Sequence, residues 1–217
     1  MKKILFAASE SVPFIKTGGL ADVVGSLPKW FDKKEYDVRV IIPKYMCIDE
    51  KWKSKMQYVD HFYMDLCWRR QYVGILQMEL DGVTYYFIDN EYYFSGPKPY
   101  GDVRYDLEKF AFFSRAVLSA LPVIGFRPDI IHCHDWHTGL IPVYLKDSFA
   151  YSEFYQGIKS IMTIHNLKFQ GVWDINTIKD IAGLSDYYFT SDKLKDYDNG
   201  NYLKGWNSIC GLGYNSK

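Results

Sequence analysis

The sequence predicts an α/β fold of the doubly wound type, a mostly parallel sheet with an antiparallel hairpin excursion. Three observations carry this. The apolar run Ile4-Leu-Phe-Ala-Ala8 leads through a glycine-bearing loop to apolar residues at helical spacing, Leu20, Val23, Val24, Leu27 and Phe31, which is the pattern of a βα unit. At residues 128–139 and again at 159–171 an apolar strand runs directly into a polar, histidine-bearing cluster. Asp81-Gly82 separates two alternating runs, a hairpin signal.

In chain order, Tyr36-Asp-Val-Arg-Val-Ile-Ile-Pro43 reads as a second buried strand closed by proline, completing a βαβ unit. Residues 49–55 are polar and are expected to be mobile. The runs at 58–63, 71–78 and 83–88 form the antiparallel excursion, joined to one edge of the parallel sheet. Residues 90–105, rich in Tyr, Gly and Pro, are a loop too long for a mere connection. Helical periodicity from Asp106 to Leu121 ends at Pro122. A strand then leads to the polar cluster and a helix from Leu140, and the next strand ends at His165-Asn166. A helix at residues 175–182 and the aromatic run Tyr187-Tyr-Phe189 follow.

Lys+Arg and Asp+Glu both number 26 in 217 residues, so there is no basic field for nucleic acid. The cysteines Cys47, Cys67, Cys133 and Cys210 show no C-x-x-C spacing, and no charged-then-apolar leader precedes Ile4, so a reduced, cytoplasmic protein is expected. No apolar run approaches the ~20 residues of a bilayer span, and a membrane partner is not expected. An apolar content of 48% suffices for a packed core, and one domain is the simpler reading of the length. The 18% aromatic content fits a sugar-stacking surface or a generous core, and composition favours the core.

The candidate site gathers at strand ends. Gly18 and Gly19 lack a Cβ, so a ligand can approach the backbone, and the first N–H groups of the following helix have no intrahelical partner. This is a place for an anion, and Lys16 adds a positive charge beside it. Read alone, the two glycines cap a tight turn and Lys16 is a solvated charge. The loop matches neither G-x-G-x-x-G nor the P-loop pattern. His132 and His134 share one face of a strand, which permits two metal ligands. No third ligand is evident, so a metal is not expected; no cofactor is expected either. His165, alone, reads as a satisfied structural group. Three stretches reaching one sheet edge turn it into a candidate for chemistry.

Ala-Ser-Glu-x-x-Pro-Phe at the end of the first strand, followed by Lys16-Thr-Gly-Gly-Leu-Ala-Asp-Val-x-Gly-x-Leu-Pro28, closely resembles the amino-terminal signature of bacterial glycogen synthases and plant starch synthases. Pro-Tyr-Gly-Asp at 99–102, His-x-x-Asp-Trp-His at 132–137 and Thr-Ile-His-Asn-x-x-Phe-Gln-Gly at 163–171 resemble further motifs of that family. The resemblance runs from residue 1 to about 205. It implies the amino-terminal Rossmann-like half of a GT-B glycosyltransferase, which moves glucose from ADP-glucose to the non-reducing end of an α-1,4-glucan with retention. By resemblance, Lys16 contacts the sugar-nucleotide phosphates, and Gly18 and Gly19 let donor and acceptor glucose lie on the backbone. Asp22 joins the substrate-binding set and Tyr100 borders the donor pocket. Asp135, Trp136 and His137 lie near the transferred glucose and the acceptor. His165 acts at the donor glucose as the catalytic residue, while Asn166, Phe169 and Gln170 shape the pocket. The family's carboxy-terminal Rossmann-like domain supplies the adenine pocket and the cations for the diphosphate, so this chain alone is expected to be inactive. Two rivals stand beside this reading. One is a non-catalytic glucan- or nucleotide-binding domain. The other is a dinucleotide-binding oxidoreductase domain, disfavoured by the absent three-glycine fingerprint.

The tail at residues 206–217 fits neither the family nor a helix or strand pattern. With suitable synonymous codons, reading one base later from Trp206 restores the family's Gly-Ile-Val-Tyr-Ala-Asp. The expectation is a frameshifted, poorly packed tail without a catalytic role.

Overall fold

The structure, a computed structural model, describes residues 1–208. The main sheet contains β1 (Lys2–Ala7), β2 (Tyr36–Pro43), β3 (Gln57–Leu66), β4 (Arg69–Leu80), β5 (Val83–Asp89), β6 (Ile130–His134) and β7 (Lys159–Thr163). Their spatial order is β3-β4-β5-β2-β1-β6-β7. The strands from β5 to β7 pair in parallel, whereas β3, β4 and β5 pair antiparallel. Leu5, Phe6, Ala7, Val40, Ile41 and Ile42 are fully buried, which is why the central strands read as continuous apolar runs. Between β4 and β5, Asp81 and Gly82 both take positive φ, 53° and 71°, as a two-residue hairpin turn with the right twist requires.

The helices are α1 (Gly19–Ser26), α2 (Glu50–Lys53), α3 (Glu91–Phe94), α4 (Val103–Val123), α5 (Ile141–Lys146) and α6 (Ile175–Ala182). A second, antiparallel sheet holds β8 (Val172–Asp174), β9 (Lys195–Asp196) and β10 (Asn199–Asn201) in the order β8-β10-β9. The long α4 packs against β3, β5, α5 and α6, and its Phe110, Phe112 and Phe113 are fully buried.

Several boundaries differ from the sequence reading. The first helical stretch breaks into α1 and a 3-10 turn, Leu27–Trp30, with Pro28 at its start, because proline has no N–H to continue the α ladder. Residues 49–55, read from sequence only as a polar stretch, hold the short α2, whose first turn is capped by the Asp49 side chain accepting from Lys51 N–H at 2.9 Å. Within the loop at 90–105, Asn90 likewise caps α3 by accepting from Tyr93 N–H at 3.1 Å. Helix α4 begins at Val103, where Asp102 accepts from the N–H groups of Arg104 and Tyr105. Pro122 lies inside its last turn instead of ending it. The carbonyl that Pro122 leaves without its helical donor, that of Leu118, accepts the Tyr155 hydroxyl at 2.9 Å, so the proline orphans nothing.

Strand β2 lies on one side of β1 and β6 on the other. The chain therefore reverses its winding between β1 and β6, and the loops leaving their carboxyl ends diverge to open a crevice there. No helix among the described residues is long and apolar enough to cross a membrane. The tail enters a 3-10 turn, Tyr202–Ser208. Its residues 209–217, on which most of the frameshift expectation falls, lie outside the described residues.

Candidate active site

The loop leaving β1 is organised by the buried Glu10. Its carboxylate accepts the Thr17 backbone N–H, the Thr17 hydroxyl at 2.8 Å and the Tyr100 hydroxyl at 2.5 Å. Tyr100 is fixed again by Ser9 at 2.7 Å, and burial followed by the Glu10 charge pushes its phenol pKa well up. On the other side of Tyr100, the buried Asp106–Lys109 ion pair holds the chain: Asp106 accepts Gly101 N–H at 2.8 Å and Lys109 donates to the Pro99 carbonyl.

Past Thr17, Gly18 has φ −149° and receives no side-chain cap. A Cβ on Gly18 or Gly19 would meet nothing within 4 Å. Neither backbone conformation nor packing therefore demands glycine there, and what the glycines leave is open space in front of uncapped helix N–H groups. Lys16 pairs with Asp22 at 2.7 Å, both side chains 53% exposed.

At the end of β6, Asp135 takes φ 57° and ψ −178°, a region that costs a non-glycine residue of order 1–3 kcal/mol and clusters at functional sites. The strain aims its carboxylate across to the end of β7, where it accepts His165 N–H at 2.6 Å and Asn166 N–H at 3.4 Å. Burial pushes the Asp135 carboxyl pKa up. The ring of His165 is held in turn by His134, with Nδ1 of His134 at 2.9 Å from Nε2 of His165.

Trp136 is only 6% exposed. A Cβ on Gly171, which has φ 64°, would sit 2.4 Å from the indole Cε3, so the indole is a wall covered by backbone more than an open stacking platform. His137 stacks on Tyr100, with centroids 4.8 Å apart, and meets Phe110 edge-on. Burial drives its pKa down to about 3, so it is neutral near pH 7. Both ends of Gln170 are engaged, Oε1 by Asn201 at 2.7 Å and Nε2 by the Leu167 carbonyl at 2.8 Å.

These groups surround one cavity of about 880 Å³. Of the residues expected from sequence, Gly18, Gly19, Tyr100, Asp135, Trp136, His137, His165, Asn166, Phe169 and Gln170 line it, whereas Lys16 and Asp22 do not. Sequence reasoning missed Glu10, Asp106 and Asp196 in the wall. The signal for Glu10 was present, a charged residue immediately after an apolar strand. Asp106 passed as the polar start of a helix, and Asp196 carries no sequence signal. The lining holds four carboxylates, Glu10, Asp106, Asp135 and Asp196, against one lysine, Lys168. No cluster of three or more His, Cys, Asp or Glu side chains with metal-holding geometry occurs among the described residues. His132 and His134 stack face to face, with centroids 4.3 Å apart.

The family model for the starch synthase catalytic domain matches residues 3–210. The chain belongs to that family. It is 70% identical over 205 residues to a glycogen synthase of Lachnospira eligens and 67% identical to one of Lachnoclostridium phytofermentans, in each case over 94% of this chain and 43% of the relative. It thus spans about two-fifths of the length of those relatives. A solved structure, the catalytic domain of starch synthase IV from Arabidopsis thaliana bound to ADP and acarbose, superposes with a TM-score of 0.82 at 27% identity, over 97% of this chain and 44% of that one. The α/β architecture, with its antiparallel excursion, is that of this GT-B family.

Proposed function

We propose that residues 1–205 form the acceptor-facing, amino-terminal domain of a retaining glycogen synthase that transfers glucose from ADP-glucose to the non-reducing end of an α-1,4-glucan. One observation carries it: in a member of the starch synthase family, the uncapped α1 terminus with its bare Gly18-Gly19 and the Asp135–His165 pair converge on one cavity at the switch point of the sheet. In such a transfer the diphosphate leaves with developing negative charge while the sugar becomes oxocarbenium-like. His165, which lines the cavity, is the catalytic residue of this reading, expected against the reacting carbon. Gly18, Gly19, Tyr100, Asp135, Trp136, His137, Asn166 and Gln170 bind or enclose sugar, and Lys16, paired with Asp22, reaches the phosphates. A lining of four carboxylates does not neutralise a diphosphate, so the further cations for the leaving group belong to a facing carboxy-terminal Rossmann-like domain. The relatives' greater length and the ADP and acarbose bound to the Arabidopsis enzyme support that arrangement. Cys47, Cys67 and Cys133 are unpaired, in keeping with a cytoplasmic setting.

Glucose incorporation into a glycogen primer, measured with ADP-glucose and with UDP-glucose, tests this. A chain lengthened to the span of its relatives is expected to use ADP-glucose, and the 217-residue chain to make no glucan. Binding of glucan or nucleotide without transfer by the lengthened chain would establish the non-catalytic alternative instead.

A further inference from the structure

His134 is a fully buried imidazole to which the proposed reaction gives no part. Three rings surround it. Phe6 lies against it with centroids 5.3 Å apart and planes at 25°, and His132 with centroids 4.3 Å apart and planes at 30°. His165, with its plane only 19° away, meets it edge to edge through the 2.9 Å contact between His134 Nδ1 and His165 Nε2. His132 is itself committed elsewhere, its Nε2 lying 2.7 Å from the Thr163 hydroxyl. The remaining nitrogen of His134, Nε2, is buried without a hydrogen-bond partner.

This geometry restricts where protons can sit. A contact of 2.9 Å between two imidazole nitrogens needs one donor and one acceptor. Burial keeps His134 neutral, so it carries a single proton. If that proton were on Nε2, a buried N–H would stand without an acceptor, and orphaned N–H groups are among the rarest features of folded proteins. No aromatic face relieves it, because Phe6 and His132 lie nearly parallel to the ring while an imidazole N–H lies in the ring plane. With the proton on Nδ1, only a lone pair is left bare.

We propose that His134 is a positioning residue that sets the tautomer of His165: His134 Nδ1–H donates to His165 Nε2, so the proton of neutral His165 resides on Nδ1. Nδ1 of His165 bonds to none of the described residues, and His165 lines the cavity. The ring therefore meets a bound ligand as a hydrogen-bond donor, suited to a sugar hydroxyl or another oxygen acceptor. This last step rests on the cavity being the sugar-nucleotide site; the tautomer does not.

Long-range proton–nitrogen NMR on the 217-residue chain with 15N-labelled histidine reads the tautomer directly. Resonances are assigned by comparison with His165→Gln and with single variants of the other histidines. The expected result is a pyrrole-like Nδ1 and a pyridine-like Nε2 for His165. His134→Phe, which keeps a stacked ring and removes the donor, is expected to move His165 away from this tautomer. His134→Asn, whose amide nitrogen can stand near the original Nδ1, is expected to restore it. A pyridine-like Nδ1 on His165 in the parent chain overturns the proposal. So does a tautomer that His134→Phe and His134→Asn both leave unchanged. If His134→Phe fails to fold, the parent spectrum and His134→Asn still decide. Failure of the lengthened chain to bind sugar nucleotide, alongside the expected spectra, would sink the functional reading and leave the tautomer assignment standing.

Discussion

Glu10 accepts the hydroxyl of Tyr100, ninety positions away, at 2.5 Å while the same carboxylate holds both polar groups of Thr17. One buried side chain thereby ties the loop after β1 to the aromatic loop before α4, and both loops line the cavity. All three partners are donors, so a carboxylate, with acceptors only, matches them fully.

Replacing that carboxylate by an amide puts an NH2 donor in place of one of its two oxygens. Glu10→Gln is expected to lose about 1.5–3 kcal/mol of stability, the scale of a hydrogen bond to a charged group, measured as a shift of the urea midpoint. Tyr100→Phe, which removes one donor and leaves Thr17 in place, is expected to cost less. Equal midpoints for Glu10→Gln and the parent would show that the carboxylate does not organise the loops.

The glycines separate into two kinds. A Cβ on Gly139 would lie 2.0 Å from the Tyr202 carbonyl oxygen, a backbone clash that cannot be relieved by a side-chain rotation, so Gly139→Ala is expected to destabilise by about 3 kcal/mol, the upper end for overpacked sites. Gly19→Ala meets open space inside the first turn of α1 and is expected to hold or raise stability by up to about 1 kcal/mol through helix propensity. In a chain long enough to bind sugar nucleotide, Gly19→Ala is nevertheless expected to weaken that binding. Unchanged affinity would assign Gly19 to the backbone alone.

Lys16 and Asp22 form an ion pair in which both side chains are half exposed, worth at most about 1 kcal/mol. Lys16→Ala is therefore expected to leave the melting temperature nearly unchanged. In the lengthened chain it should weaken sugar-nucleotide binding and turnover together, with an effect that shrinks as salt rises. Retention of both affinity and rate would make Lys16 a solvated surface charge.

Acid should unfold this domain through its buried imidazoles. Burial lowers the pKa of His132 to about 4 and of His137 to about 3, and takes His134 well below its ordinary value. Each is depressed in the folded state, so the unfolded chain binds the extra protons. The stability they secure is present above about pH 6.5 and drains away as pH falls from there toward 3, at up to about 1.4 kcal/mol per pH unit for each histidine. Urea unfolding at pH 7 and pH 5 is expected to show this loss. His137→Phe, which preserves the stack on Tyr100, should shrink it. The same pH dependence in His137→Phe as in the parent would exclude His137 from the effect.

In the lengthened chain His165→Ala is expected to lower turnover far more than donor affinity, because contacts at the reacting carbon count most in the transition state. Proportional losses in both would reduce His165 to a binding residue.

The strand ends could be read from the sequence because each rests on a local pattern. The buried parallel strands declare themselves as unbroken apolar runs, the Asp81-Gly82 hairpin as the pair of residues that tolerate positive φ, and the site stretches as polar residues placed abruptly after such runs. Helix ends were less legible where a single side chain decided them. Asp49 and Asp102 create caps that no periodicity announces, and at Pro122, which stays helical, Tyr155, distant in sequence, satisfies the carbonyl it leaves bare.

What the tertiary structure alone decided is how the site residues relate to one another. Lys16 and Asp22 belong to the same motif as Gly18 and Gly19 yet turn toward each other outside the cavity. Asp196, with no motif around it, enters the cavity because the small second sheet carries it there. The contacts of Asp135 with His165 and of Glu10 with Tyr100 cross 30 and 90 positions of chain. Local preferences determine where each strand stops. Which stops face each other follows from the order of strands in the sheet, and that order is settled by burying all the apolar faces at once.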